Sequence, residues 1–397
     1  MRAIDPVLQH YAWGSTTAIP ETLGVVPDGT PIAEAWYGAH GSAPSPVGPE
    51  GARTTLDRLV SEDPHGVLGD DVAVRFGGRL PYLLKVIAAA APLSLQVHPT
   101  PEQARAGYAA EEERGIALDD PRRSYKDQNH KPELVYALSH FEALIGFRAA
   151  RRTAEILRGV DHPVAQRLHD VVTADPTADG VRAAFGELVG EETRPSPAEV
   201  DELGEIFARR LREGSPAPRT DRAVSTLAQA YPGDPGAVTA LLLNPVTLRP
   251  GEACFVPAGA VHAYLSGSAV EVMANSDNVL RAGLTPKHVD VPELLRTVDC
   301  VAAPPIRIAP ERSFDATEVF YVPVDDFELS VTRLTDGRPA RLPGVGPRIV
   351  LCLEGSSSLQ GAHGHHELAS GQAVFVSADD GPLVVQGFGR LVQASVP

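Results

Sequence analysis

The strongest constraint on how this chain can fold is that part of it is written twice. Leu248-Arg249-Pro250-Gly251-Glu252-Ala253-Cys254-Phe255-Val256-Pro257-Ala258 and Leu368-Ala369-Ser370-Gly371-Gln372-Ala373-Val374-Phe375-Val376-Ser377-Ala378 share six identities at a constant offset of 120. In each copy a glycine turn precedes a short apolar run, which is a strand signal. Two copies of one β architecture are expected. The text on either side agrees, with short apolar runs such as Tyr82-Leu83-Leu84-Lys85-Val86-Ile87 near the start and Arg348-Ile349-Val350-Leu351-Cys352-Leu353 near the end, separated by Gly-, Pro- and Ser-rich joints.

The period changes in two places. Thr100-Pro101-Glu102-Gln103 has the form of a capping box with proline at the first helical position, so a helix is expected to about Gly115. From about 150 to 238 the pattern is helical throughout. Ser196-Pro197-Ala198-Glu199 opens one helix whose apolar face is Val200, Leu203, Ile206, Phe207 and Leu211. The expected organisation is mainly β with a helical insertion: residues 1–149 and 239–300 form one discontinuous β unit, 150–238 the inserted α-helical domain, and 301–397 the second β unit. His162 and His169, inside the insertion, read as packing or surface residues.

Chemistry concentrates in four fragments. In Leu93-Ser94-Leu95-Gln96-Val97-His98-Pro99 strand alternation sends Gln96 and His98 to one side and Leu95 and Val97 to the other. Asn129-His130-Lys131-Pro132-Glu133, the Pro257-Ala258-Gly259-Ala260-Val261-His262-Ala263-Tyr264 loop and the segment from Asn275 to Lys287 supply partners. Gln96, His98, Glu133 and His262 together offer an amide oxygen, a carboxylate and two imidazoles. Such a thiolate-free set suits Zn²⁺ with a position left open, and would also accept Fe²⁺, Mn²⁺ or Co²⁺. The second copy carries Pro382 where the first has His262, so it is expected to hold no metal. The His363-Gly364-His365-His366-Glu367 run reads as an exposed hairpin turn.

Charge narrows the partners. A formal net charge of −16 argues against nucleic acid and against an anionic membrane, since the long-range field repels both. Any anionic ligand must be caught locally. Of 35 basic residues only Lys85, Lys126, Lys131 and Lys287 are lysine, and all four stand beside the fragments above. The compact, tunable ammonium of lysine is not replaceable by arginine at such a site. Three widely spaced cysteines give neither a disulfide framework nor a thiolate metal site. With no apolar signal region at Met1-Arg2-Ala3-Ile4 and no apolar run of about 18 residues, a cytoplasmic location is expected.

Gln96-Val97-His98-Pro99-Thr100, Asp127 to Glu133, Pro257 to Leu265 and Asn275 to Val291 together resemble, in order, the motifs of the type I mannose-6-phosphate isomerases, zinc enzymes of the cupin superfamily. Trp13-Gly14 and Ala33-Glu34-Ala35-Trp36-Tyr37-Gly38-Ala39-His40 resemble the family's N-terminal pattern, with Ala35 and Tyr37 departing from it. The resemblance implies two cupin-like jelly-roll barrels, one Zn²⁺ per chain held by Gln96, His98, Glu133 and His262, and a monomer acting on a sugar phosphate. It also implies that Arg281 is essential and that Lys85, Ser94, Lys131, Glu271, Tyr264 and Lys287 line the pocket. The reaction implied is interconversion of mannose 6-phosphate and fructose 6-phosphate through an enediol. Either Glu271 or Lys287 would move the proton, with Ser94, Lys85 and Lys131 on the phosphate. Two other readings compete: a different cupin enzyme such as an Fe²⁺ dioxygenase, and a sugar-phosphate binder without turnover.

Overall fold

The structure, a computed structural model, describes residues 1–313, 316–335 and 337–397. Its strands form two antiparallel sheets of eleven strands each, neither closing on itself among the described residues. The first runs in the order Ile306–Ile308, Ala253–Val256, Glu133–Ala137, His262–Ala274, Tyr82–Ala89, Glu34–Gly38, Val7–Gln9. The second runs from Glu311–Ser313 through Thr317–Phe320, Glu328–Leu334, Leu383–Ser395, Arg348–Gly361 and Ala373–Val376 to the N-terminal strands Arg2–Ile4, Pro46–Val47 and Thr54–Thr55. That last pairing, Arg2 against Phe375, joins the two ends of the chain and left no mark in the sequence pattern.

The written repeat is also a structural one. Ala253–Val256 and Ala373–Val376 are four-residue strands, and each precedes a strand of 13 residues, His262–Ala274 or Leu383–Ser395. Between the sheets lies a shared apolar core that includes Leu84, Val86, Leu134, Val270 and Val272 from the first and Leu329, Ile349, Leu351, Phe375 and Val392 from the second. Because side chains alternate along a strand, burying Leu84 and Val86 on this side turns Lys85 to the opposite face, and burying Val270 and Val272 does the same for Glu271. The packing of one sheet on the other therefore decides where the polar residues point.

The helical segment enters and leaves through one pair of strands. Phe141–Phe147 and Leu243–Leu248 are antiparallel neighbours with Phe147 opposite Leu243, and the helices Ala150–Leu157, Pro163–Ala174, Ala178–Val189, Pro197–Gly214 and Pro218–Ala230 lie between them in sequence. The anticipated caps form: Gln103 N donates to Thr100 Oγ1 at 3.2 Å, and Ser196 N donates to Glu199 Oε2 at 2.8 Å. Val200, Leu203 and Phe207 are buried while Ile206 and Leu211 are half-buried. His162 accepts from Val164 N at 3.2 Å and so caps the helix Pro163–Ala174. This helical core is continuous with Leu95, Val97, Ala263 and Leu280 of the first sheet. No helix among the described residues is long and apolar enough to cross a membrane.

The 13-residue strand His262–Ala274 ties the first sheet together. Its first half pairs with Leu95–Val97 and Phe141–Phe147, its second with Tyr82–Ala89 and Glu133–Ala137. The change of partners falls near Gly267, whose φ is +105° and where a Cβ would stand 2.3 Å from the His140 carbonyl oxygen. No L side chain suits that place. Gly267→Ala should destabilise the protein by more than about 1 kcal/mol, read as a fall in Tm; an unchanged Tm would mean that the crossing backbones can relax apart.

Candidate metal centre

Register brings the polar residues together. Gln96 lies directly opposite His262 on one side and Arg281 on the other, so the three share a face of the sheet. Lys85 lies between Trp36 and Glu271 in the same way, and Glu133 begins the strand that flanks Glu271. His98 follows the strand Leu95–Val97, and its carbonyl accepts from Gly259 N at 2.8 Å, which fastens it to the loop carrying His262.

His98, Glu133 and His262 converge, with ligand atoms all within 4.8 Å of one another, and all three are buried. His98 Nε2 is 3.2 Å from Glu133 Oε1, and His262 Nε2 is 3.4 Å from Glu133 Oε2. The other ring nitrogens fix the tautomers: His98 Nδ1 is 2.7 Å from the Asn278 carbonyl and His262 Nδ1 is 2.9 Å from the Ala260 carbonyl. A carbonyl only accepts, so each Nδ1 carries the proton and each Nε2 presents a lone pair to the carboxylate. Among the described residues neither Nε2 has a hydrogen-bond partner. Two lone pairs facing a buried anion repel unless a cation lies between them, so the residues fit a divalent metal. Burial and then the nearby Lys131 charge push the His98 imidazole down to about 4, against the pull of Glu133, which keeps it a neutral ligand. Burial works to raise the Glu133 carboxyl, and the Lys131 ammonium, 3.5 Å away, draws it down below the ordinary range.

Beside this trio is a buried chain of charge. Lys85 Nζ is 3.2 Å from Glu271 Oε2 and 3.8 Å from Glu34 Oε1, and Trp36 Nε1 donates to Glu34 Oε2 at 2.7 Å. Burial alone would weaken the Lys85 ammonium, but Glu34, Glu271 and Glu133 hold it protonated. Burial, then Glu133, raise the Glu271 carboxyl against the opposing pull of Lys85. Tyr264 donates to Glu133 Oε2 at 3.0 Å, its hydroxyl kept neutral by burial and the same carboxylates.

The group borders a cavity of about 1220 Å³ whose lining includes Ser94, Gln96, Arg281 and all four lysines. The cations divide by depth. Lys85 and Lys131 are buried and already paired with carboxylates; Lys126 and Lys287 are exposed, and neither they nor half-buried Arg281 has a carboxylate within 4.0 Å among the described residues. The Lys287 ammonium is lowered first by Arg281, then by burial and by Lys126, the mark of like charges gathered in one place. Burial also lowers Arg281. Lys85, expected from the sequence on an anion, thus sits with its charge balanced, and the uncompensated cations are at the mouth.

Nine of the eleven anticipated site residues line this cavity; His98 and His262 do not, and lie buried against Glu133, which does. Sequence reasoning missed Glu34 as the second partner of Lys85, although its alternation with Trp36 was a signal, and it missed the Asn278 carbonyl, which carries no side-chain signal at all. His363 and His365 are exposed at the hairpin joining Arg348–Gly361 to Gly364–Ala369.

Residues 1–150 match the family model of the type I phosphomannose isomerase catalytic domain, and residues 317–396 that of the mannose-6-phosphate isomerase cupin domain. Mannose-6-phosphate isomerase of Escherichia coli K12 is 39% identical over 401 residues, covering 99% of each chain. A zinc-bound mannose 6-phosphate isomerase structure superimposes with a TM-score of 0.89 at 36% identity, covering 100% of this chain and 99% of that one. A variant of Salmonella typhimurium phosphomannose isomerase gives a TM-score of 0.90 at 36% identity with the same coverage.

If the trio holds a metal, His262→Ala should lose stoichiometric divalent-metal binding after dialysis, measured by elemental analysis. Retention of one ion per chain by that variant would remove His262 from the ligand set.

Proposed function

The chain belongs to the type I mannose-6-phosphate isomerases, and from that premise we propose that it interconverts mannose 6-phosphate and fructose 6-phosphate through an enediol, with one Zn²⁺ held by Gln96, His98, Glu133 and His262. The observation that carries the reading is the pair of bare imidazole nitrogens turned on the Glu133 carboxylate beside a cavity that collects every lysine in the chain. Gln96 joins the set because it stands directly across from His262. An ion held there would supply Lewis-acid polarisation of the substrate carbonyl.

The remaining work falls to side chains. A proton must leave C2 of the aldose and return at C1, while a hydroxyl proton moves between the two oxygens. Of the two candidates, Glu271 is favoured over Lys287: it is buried, its carboxyl is raised toward neutrality, and Lys85 at 3.2 Å can balance its charge as the proton comes and goes. Lys287 is exposed among cations and suits the phosphate, with Lys126 beside it. Arg281, one strand from Gln96, is placed to meet charge on the sugar oxygens. Ser94 remains a candidate for the phosphate, while Lys131 and Tyr264 hold Glu133 through its two oxygens. We further infer two jelly-roll units, 1–149 with 239–300 and 301–397, with 150–238 inserted, in a cytoplasmic monomer.

A coupled assay should show conversion of mannose 6-phosphate to fructose 6-phosphate that chelator abolishes and Zn²⁺ restores. No turnover by the metal-replete protein would sink the reading and leave a binder. Arg281→Ala should keep its zinc while kcat falls about a hundredfold, the scale of one lost transition-state donor. Lys287→Ala should instead raise KM by about tenfold or more with a smaller change in kcat, the scale of one charged hydrogen bond; the reverse split would return Lys287 to the proton transfer.

A further inference from the structure

The His98 ring is aimed by a backbone carbonyl, and that carbonyl belongs to a turn that one carboxylate holds in shape. Asn278, fully buried, accepts from His98 Nδ1 at 2.7 Å through its main-chain oxygen. Its side chain is engaged on both ends: Oδ1 accepts from Lys126 N at 2.7 Å and Asp127 N at 3.1 Å, and Nδ2 donates to the Asp127 and Asn129 carbonyls, both at 2.8 Å. The Asp127 carboxylate answers from the other side. Its Oδ1 accepts from Asn129 N at 2.8 Å and from Ser276 Oγ at 2.9 Å, and its Oδ2 accepts from Asp277 N at 2.7 Å.

Two segments are thereby stitched together, 126–131 leading into Glu133 and 275–278 leading into Arg281. Resting on the metal reading above, we propose that Asp127 is a positioning residue for the metal centre: it fixes the turn that presents the Asn278 carbonyl, and so holds His98 as the Nδ1–H tautomer with Nε2 free toward the ion. Removing the carboxylate leaves the Asn129 and Asp277 amides and the Ser276 hydroxyl without that acceptor, and the turn must rearrange to satisfy them. His262 provides an internal contrast, since its Nδ1 bonds the Ala260 carbonyl two residues away in its own loop and touches nothing that Asp127 holds. The coupling is therefore expected to reach one histidine and spare the other. Partners of this kind, one bond beyond the ligands, typically account for 10–100-fold in metal affinity.

The test uses full-length protein in two arms. In metal-free, ¹⁵N-histidine-labelled protein, NMR should report the Nδ1–H tautomer for both His98 and His262 in the wild type, and in Asp127→Ala a mixed tautomer for His98 with His262 unchanged. In zinc-loaded protein, release to a chromogenic chelator should be about 10–100-fold faster for Asp127→Ala. Asp127→Asn, which keeps one acceptor oxygen, should fall between, and it carries both arms if the alanine variant does not fold. Wild-type tautomer and wild-type zinc release in a folded variant would overturn the proposal, as would an equal change at both histidines, which would signal general loosening. Failure of the wild type to bind zinc would overturn the metal reading instead, and the tautomer arm, which needs no metal, would still decide whether Asp127 sets His98.

Discussion

The site depends on a repulsion. Glu133 is buried, ionised, and approached by two imidazole nitrogens whose protons are committed elsewhere. A carboxylate removed from water costs several kcal/mol unless it is compensated, and lone pairs do not compensate it. Lys131 and Tyr264 relieve part of the cost. The rest falls to a cation, and the trio fits a divalent one. Two neutral imidazoles and a carboxylate are the ligand types that suit such an ion, and Glu133 brings the only charge among the three.

Lysine depth separates two kinds of work. Lys85 and Lys131 are paired with carboxylates inside the site, where each pulls its partner's carboxyl down against burial. Lys126 and Lys287 stand exposed with Arg281 and repel one another. An anion at the mouth would relieve that crowding.

What could be read in the sequence followed from short-range rules. Alternation put Gln96 and His98 on one face, capping chemistry started the helices at Thr100 and Ser196, and the repeat at an offset of 120 announced two related β units. The ligands Glu133 and His262 were legible through their motifs. The depth of Lys85 was not, because it depends on Glu34, more than 50 residues earlier, and strand register is a tertiary property. The pairing of Arg2–Ile4 with Ala373–Val376 was invisible for the same reason. Two barrels were implied by the repeat and by the family resemblance; among the described residues the strand pairing leaves both sheets open, with one core shared between them and a further core inside each. The Asn278 carbonyl could not have been found at all, since every residue has one.

The helical block has a consequence beyond filling space. Phe147 and Leu243 are cross-strand neighbours, so the chain departs and returns at a single doorway, and the closure entropy of that excursion is charged to a hairpin the sheet forms anyway. Yet the inner face of the block is fused to Leu95, Val97, Ala263 and Leu280, the undersides of the strands that carry Gln96, His262 and Arg281. Natural variation should therefore run freely at the outer ends of these helices, in length as well as in composition, and halt at the layer that touches those four residues. The block is thus a cover with a fixed lining, free to vary outward and constrained where it meets the strands of the site.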